Sequence, residues 1–258
     1  MRMFGTGIRI FPIAMTVALL ACGLTACGKT GKDVAAQVGG TTISRNEVQH
    51  WMSVIAGEVS TAAGHPEPPV PEPPGYGACI DYKKRYPTTS VAAKRPTASI
   101  RLECRREFEK EKLKALYFLI PSVWVRGEAA KLGVDLTGKE LERELAAATA
   151  HFPSEAVARK LLVGARGTAK DLSARLTQLV LVTRVQRALE REARQSHLTL
   201  PQRQQALDRF SERFERTWRA ATSCRPGYVM PICKQYRTPR IAPPITPPTL
   251  PLTKLTAE

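Results

Sequence analysis

Helix-start signals recur along this chain and favour a mainly helical fold. Segments 44–47, Ser-Arg-Asn-Glu, and 137–140, Thr-Gly-Lys-Glu, each place a hydroxyl side chain three residues before a glutamate. In such a capping box the two side chains bond reciprocally to backbone N–H groups at the helix start. Apolar residues follow the first box at helical spacing, at Val48, Trp51, Met52 and Ile55. We therefore expect a mainly α protein, with one short strand at Val34–Val38 and a turn at Gly39-Gly40.

Proline and glycine divide the rest of the body into further helices. The pattern predicts a helix over 97–120, a second that starts at Pro121 and ends at Leu132-Gly133, a third over 154–163, and the longest over 169–196. At 1.5 Å per residue the longest would span about 40 Å and link two parts of the body. Its centre, Leu179–Val182, is apolar on all sides and is expected to be buried. A last helix is predicted from apolar residues at every fourth position, Ala206, Phe210, Phe214 and Trp218.

The N-terminus has the features of an export signal. Ile10 to Gly28 is apolar and uncharged, follows Arg2 and Arg9, and is the one stretch long enough for a bilayer, which excludes a multi-pass membrane protein. Leu24-Thr25-Ala26-Cys27-Gly28 resembles the lipobox of bacterial lipoproteins, in which the cysteine is acylated. The resemblance implies a signal peptide over 1–26, a lipid on Cys27 and a place on the extracytoplasmic face of the membrane. Cys22 and an uncleaved anchor helix are the alternatives.

Four cysteines remain beyond the signal and Cys27, in a compartment where disulfides persist. They are Cys79, Cys104, Cys224 and Cys233, which allow three pairings. We favour Cys79–Cys104 and Cys224–Cys233, because each pair closes a short loop that contains chain-reversing residues. A zinc site is disfavoured, since no two of these cysteines have C-x-x-C spacing and no histidine is near.

The chain is strongly basic, with a net charge of +16 that becomes +14 when Arg2 and Arg9 leave with the signal. This charge favours binding to an acidic surface or partner, as does the cluster Lys83-Lys84-Arg85. Export and the acidic residues within the arginine-rich segment 184–194 argue against nucleic acid as a partner. There is no glycine-rich phosphate loop, and we predict no metal, no cofactor and no catalytic residues.

Two segments carry a family resemblance. The first is Gln37-Val38-Gly39-Gly40-Thr41-Thr42-Ile43-Ser44-Arg45-Asn46-Glu47-Val48, and the second is Trp124-Val125-Arg126-Gly127-Glu128-Ala129-Ala130-Lys131-Leu132-Gly133-Val134. Both resemble the N-terminal chaperone domain of the SurA and PrsA family of extracytoplasmic foldases. Residues 214–233 resemble the C-terminal helix and tail of the same group. The resemblance implies that residues 27–236 form a helical chaperone domain with a short N-terminal strand and a returning C-terminal helix. Residues 237–258, rich in proline, are expected to be a disordered tail.

The sequence departs from this family where complete members carry a parvulin prolyl-isomerase domain. The interval 196–200 between the last two predicted helices leaves no room for one, and the histidines, His50, His65, His151 and His197, are scattered over helices and loops. His50 and His197 are expected to be ordinary surface or helix-end residues. We therefore expect a non-enzymatic protein.

The resemblance implies a membrane-anchored holdase for unfolded or partly folded exported proteins. An apolar cradle for such clients would use aromatic and aliphatic residues, with Trp51, Met52, Tyr117, Trp124, Phe210, Phe214 and Trp218 as the candidates. The competing interpretation is that most of these residues form the core. Two other functions are weighed: a non-catalytic envelope lipoprotein that binds an acidic surface or a partner, and a degenerate peptidyl-prolyl cis-trans isomerase.

Overall fold

The structure, a computed structural model, describes residues 33–57, 66–87 and 94–237. Within these ranges the chain is mainly helical, as predicted. The helices are α1 (Arg45–Ala56), α2 (Gly77–Arg85), α3 (Thr97–Lys131), α4 (Gly138–Thr149), α5 (Glu155–Val163), α6 (Ala169–Gln195) and α7 (Leu200–Ala220). The predicted signal peptide, Cys27, His65 and all of the predicted tail after Arg237 lie outside the described residues.

A small antiparallel sheet joins the two ends of the described body. Its strands are β1 (Val34–Val38), β2 (Thr41–Ser44) and β3 (Thr222–Cys224), in the order β2-β1-β3. β1 was predicted, and Gly39-Gly40 makes the turn into β2. β3 was not predicted, because three residues are too few to show an alternating pattern. It pairs Ala36 with Cys224 and so returns the chain to its start after α7.

Both predicted capping boxes are present. Ser44 Oγ accepts from the backbone N–H of Glu47 at 3.1 Å, and the Glu47 carboxylate accepts from the N–H of Ser44 at 2.7 Å. The box of Thr137 and Glu140 has the same reciprocal bonds. Arg184 and Thr137 both donate to the Glu140 carboxylate, and this lowers its pKa to about 2. These bonds fix the helix starts, since the first N–H groups of a helix have no partner within it.

One helix boundary was predicted wrongly, because α3 runs without a break through Pro121. A proline inside a helix removes one backbone hydrogen bond and crowds the preceding turn. Here the residues on both sides, Ile120 and Trp124, are buried in the core, and the Ser122 hydroxyl donates to the Phe118 carbonyl at 2.7 Å. Packing along the helix therefore keeps the two predicted helices as one, of 35 residues.

The helix that the sequence predicted to be the longest, α6, has 27 residues and is shorter than α3. It does link two parts of the interior. Leu172, near its start, belongs to the main core cluster, while Leu181 and Val185 belong to a separate cluster with Val125 and Ala129 of α3. The predicted burial of its centre is only partly correct, because Leu179 is 62% exposed. The buried side of α6 changes between the two clusters and leaves Leu179 in solvent.

The main core lies between the sheet, α1 and the middle of α3. Its fully or nearly buried members include Ala35, Val38, Val48, Trp51, Met52, Leu116, Ile120, Trp124 and Met230. A second cluster lies where α2 meets the start of α3, around the Cys79–Cys104 disulfide. The core thus draws on both ends of the described chain, which is why the closing segment after α7 is ordered against β1.

Candidate functional site

The candidate client-binding residues of the first half of the chain lie in the core. Trp51, Met52 and Trp124 are 5%, 2% and 4% exposed. The Trp51 ring lies 3.9 Å from that of Phe118 between centroids, and Trp124 Nε1 donates to Thr222 Oγ1 at 2.8 Å. These side chains hold α1, α3 and β3 together. That they bind clients stays a prediction, and it would require the body to open.

The candidates on α7 form a ladder that packs against α3. The rings of Phe210 and Phe214 are 6.0 Å apart, and those of Phe214 and Trp218 are 6.5 Å apart. All three side chains are half-buried, and the rings of Phe214 and Trp124 form a T-shaped pair with 6.1 Å between their centroids. Tyr117, which lies elsewhere on α3, is half-buried as well. The sequence correctly predicted the stripe on α7, and in this structure α3 covers it.

Trp218 is held by a set of specific contacts. Its Nε1 donates to the Glu128 carboxylate at 2.9 Å, and the Lys131 ammonium lies 4.5 Å from the centre of the ring. Glu128 and Lys131 also pair with each other at 3.0 Å. The ring lies directly on Gly127, where an added Cβ would come within 2.1 Å of it. Glycine at this position lets α3 and α7 approach closely.

Exposed apolar side chains occur elsewhere, on α5 and α6. Leu161 is 68% exposed and Leu179 is 62% exposed, while Val157 and Leu162 are each more than a third exposed. We call Val157, Leu161 and Leu162 the α5 apolar face. These residues were not predicted from the sequence, although Val157 and Leu161 have the i, i+4 spacing that puts two side chains on one side of a helix. Ala158 and Val163 supply the buried side of α5, so the leucines are additional apolar surface.

His50 was expected to be an ordinary surface residue, and the structure places it against a buried carboxylate. Its Nε2 lies 2.7 Å from Asp171 Oδ1, and the Asp171 side chain is 5% exposed. Burial alone would raise the pKa of Asp171, but hydrogen bonds from His50 and Thr168 lower it below its ordinary value. The pair joins α1 to the start of α6. No sequence pattern predicted it, because the two residues are far apart in the chain.

The four remaining cysteines form the favoured pairs, Cys79–Cys104 and Cys224–Cys233. Glu107 lies beside the first pair, but both sulfurs are bonded to each other, which argues against the alternative zinc site. Lys83 bridges Glu103 and Glu107 at 2.8 and 2.7 Å. This bridge lowers the pKa of Glu103. The acidic residues near the disulfide thus fix α2 on α3.

Comparisons of the chain with family models, with curated proteins and with solved structures gave no match. Within residues 33–57, 66–87 and 94–237, no helix has the length and apolar character that a membrane span requires. The connector between α6 and α7 is short, with α6 ending at Gln195 and α7 beginning at Leu200.

Proposed function

We propose that this chain is a lipid-anchored extracytoplasmic holdase, which binds non-native exported polypeptides and has no isomerase domain. The observation that carries the proposal is the α5 apolar face. Single exposed leucines are common on soluble proteins and need no explanation. Three exposed aliphatic residues within the nine residues of α5 are a concentration of apolar surface, which is typical of binding sites for apolar partners.

The chemistry of this surface suits unfolded clients. It is aliphatic and belongs to one short helix, and contact with apolar groups requires no particular client sequence and no nucleotide. Lys160 and Arg159 lie on the same helix, and Lys160 is exposed next to Leu161. Client binding would cover Leu161 and Leu162 without disturbing the buried side chains Ala158 and Val163.

The resemblance to the SurA and PrsA family supports the same function. Its first segment, 37–48, covers the turn from β1 through β2 into α1, and its second, 124–134, covers the end of α3. α1 packs along α3 in the described body, and the returning α7 leads into β3, which pairs with β1. A domain with an N-terminal strand and a returning C-terminal helix is what the family resemblance implies.

The test is suppression of aggregation by the oxidised mature chain, residues 27–258 with Cys27→Ser, added to an unfolded model client at two salt concentrations. We expect suppression near equimolar ratios that persists at high salt, because apolar contacts are not screened. Leu161→Gln with Leu162→Gln should weaken suppression several-fold. Leu179→Gln with Leu200→Gln is the matched control, since both leucines are exposed but lie outside α5, at 62% and 77%. A wild-type chain without suppression, or equal losses in both variants, would contradict the proposal.

The lipid anchor is tested separately in cells that process lipoproteins. We expect Cys27→Ala to block both acylation of the chain and cleavage of the signal segment, whereas the wild-type chain is acylated and cleaved before Cys27. The same change at Cys22 should affect neither step. A Cys27→Ala chain that is cleaved and still stays in the membrane fraction would refute the lipid anchor on Cys27. It would not affect the proposed holdase activity.

A further inference from the structure

The outer side of the first half of α3 is basic and apolar at once. Leu102, Arg106, Lys110, Leu113 and Tyr117 follow one another at spacings of three or four residues, and so they lie along one side of the helix. With the adjacent side chains of Arg105, Glu109 and Lys114 they line a shallow groove of about 580 Å³. We call this set the α3 stripe. Leu102 and Leu113 are 49% and 37% exposed.

The charge of the α3 stripe is strongly positive. Its acidic residue, Glu109, pairs with Lys112 at 2.6 Å, and Lys114 pairs with Glu111 at 2.9 Å. Arg105, Arg106 and Lys110 are exposed, and none of them pairs with a carboxylate of the described residues. Leucines flanked by unpaired cations are typical of helices that lie in the interface of an anionic bilayer.

The start of the described body lies near this part of α3. The backbone N–H of Arg45 donates to the Asp33 carbonyl at 2.7 Å, and the Arg45 guanidinium lies 5.7 Å from the centre of the Tyr228 ring. The Lys112 ammonium lies 5.6 Å from the same ring. Lys112 is buried, so these contacts place Asp33 near the middle of α3, on the side of the helix that faces the core.

The position of Asp33 limits how far the body can lie from a membrane. Asp33 is six residues after Cys27. At about 3.5 Å per extended residue, a lipid on Cys27 would hold Asp33 within about 20 Å of the bilayer. The anchor would therefore keep the body, and with it the α3 stripe, close to the bilayer.

We propose that the α3 stripe lies on an anionic lipid bilayer, with its arginine and lysine side chains at the phosphates and Leu102 and Leu113 in the interface. The C-terminal tail is a less suitable occupant, because residues 238–258 contain Arg240 and Lys254 against one acid, Glu258. A second copy would bring the same basic surface against this one. The proposal concerns a different surface from the α5 apolar face, and it does not depend on the holdase activity.

The test is flotation of the oxidised mature chain, residues 27–258 with Cys27→Ser, on lipid vesicles. The vesicles contain either phosphatidylcholine alone or phosphatidylcholine with about 30% phosphatidylglycerol, which gives an anionic surface with about one charge in three lipids. We expect binding to the anionic vesicles only, with a loss at high salt. At about 1 kcal/mol for each basic residue near the surface, Arg106→Gln with Lys110→Gln should weaken binding about thirtyfold. The matched control is Arg209→Gln with Arg216→Gln, which makes the same charge change at exposed positions of α7.

A second variant separates a bilayer from other phosphate-bearing partners. Leu102→Gln with Leu113→Gln keeps every charge, and we expect it to weaken vesicle binding about tenfold because the apolar contacts are lost. Binding that ignores the leucines would mean that the surface recognises phosphate alone and would overturn the proposal. Absence of binding to anionic vesicles, or equal losses in the α3 and α7 variants, would overturn it as well. Unchanged aggregation suppression by the α3 variants is expected, since the proposed client surface is the α5 apolar face.

Discussion

At the scale of single residues, aromatic side chains in this protein mainly join elements to one another. Trp51 and Trp124 are in the core, and the Trp218 indole is fixed by Glu128 and Lys131. A buried tryptophan needs a partner for its N–H group, and here Trp124 finds it in Thr222. Polar partners of this kind cannot be predicted from apolar spacing, which reports only that a side chain lies on a helix face.

Gly127 gives the first residue-scale prediction. We expect Gly127→Ala to lower the free energy of unfolding by about 1–2 kcal/mol. The new Cβ would displace the Trp218 ring, and this overpacking exceeds the gain of about 1 kcal/mol in helix propensity. Urea unfolding at neutral pH measures the change. Gly138→Ala is the control, since a Cβ there meets nothing within 4 Å and should be neutral or slightly stabilising. Equal stability of wild type and Gly127→Ala would contradict the close approach of the Trp218 ring to Gly127.

Asp171 gives a prediction that depends on pH. Its pKa in the folded protein is below the value near 3.9 of an unfolded chain, so the carboxylate stabilises the fold above that value. This stabilisation is lost as the pH falls through the folded pKa. We expect Asp171→Asn to cost about 1–3 kcal/mol at pH 7 and less at pH 3. Unfolding curves at both pH values measure this.

The control for Asp171 is Asp208→Asn. Asp208 is an exposed residue of α7 whose carboxylate accepts a hydrogen bond from Gln204. Because that bond is exposed to solvent, its loss should change stability by less than about 0.5 kcal/mol at either pH. A cost for Asp171→Asn that does not shrink at pH 3 would show that the carboxylate acts through packing alone.

At the scale of elements, the segment after α7 completes the sheet and closes the core. β3 pairs with β1, and the buried residues Met230 and Ile232 follow it. The Cys224–Cys233 disulfide joins β3 to this segment. Since neither a strand of three residues nor a loop is stable alone, the order of both depends on the disulfide and on contact with β1.

Removing this disulfide gives the prediction for the closing segment. Cys224→Ala with Cys233→Ala should lower the free energy of unfolding by about 3 kcal/mol, which is the chain-entropy value for a loop of this size. It should also expose the chain after α7 to limited proteolysis. Cys79→Ala with Cys104→Ala is the comparison, and it should destabilise the protein without directing cleavage to residues 225–237. If residues 225–237 stay resistant to proteolysis in the variant that lacks Cys224 and Cys233, the order of this segment does not depend on the disulfide.

At the scale of the whole molecule, α6 connects the main core to the cluster around Leu181 and Val185. Because one continuous helix contributes to both, we expect a single cooperative unfolding transition. Leu181→Ala should cost about 2–4 kcal/mol and shift the transitions seen by tryptophan fluorescence and by far-UV circular dichroism together. Trp51 and Trp124 belong to the main core cluster and Trp218 packs against it, so the fluorescence reports on that cluster. Fluorescence that remains unchanged while helicity falls would show that the clusters unfold separately.

Several features of the described body could be predicted from local sequence alone. The capping boxes at Ser44 and Thr137 were confirmed, because such a box is made by residues three apart and needs no distant partner. The strand at β1, the turn after it and the favoured cysteine pairs were also correct, since each depends on neighbouring residues or on a short loop. The helical class of the body follows from the same local signals.

Tertiary contacts decided the rest. Pro121 stays inside α3 because Ile120 and Trp124 are buried on both sides of it, and packing outweighs the local cost of the proline. β3 forms because β1 offers it an edge. The exposure of Leu161 and Leu179, and the burial of Trp51, depend on which side of each helix a distant element covers. Apolar spacing predicts that a helix has such a side, but only the packing of the whole chain determines whether it is covered.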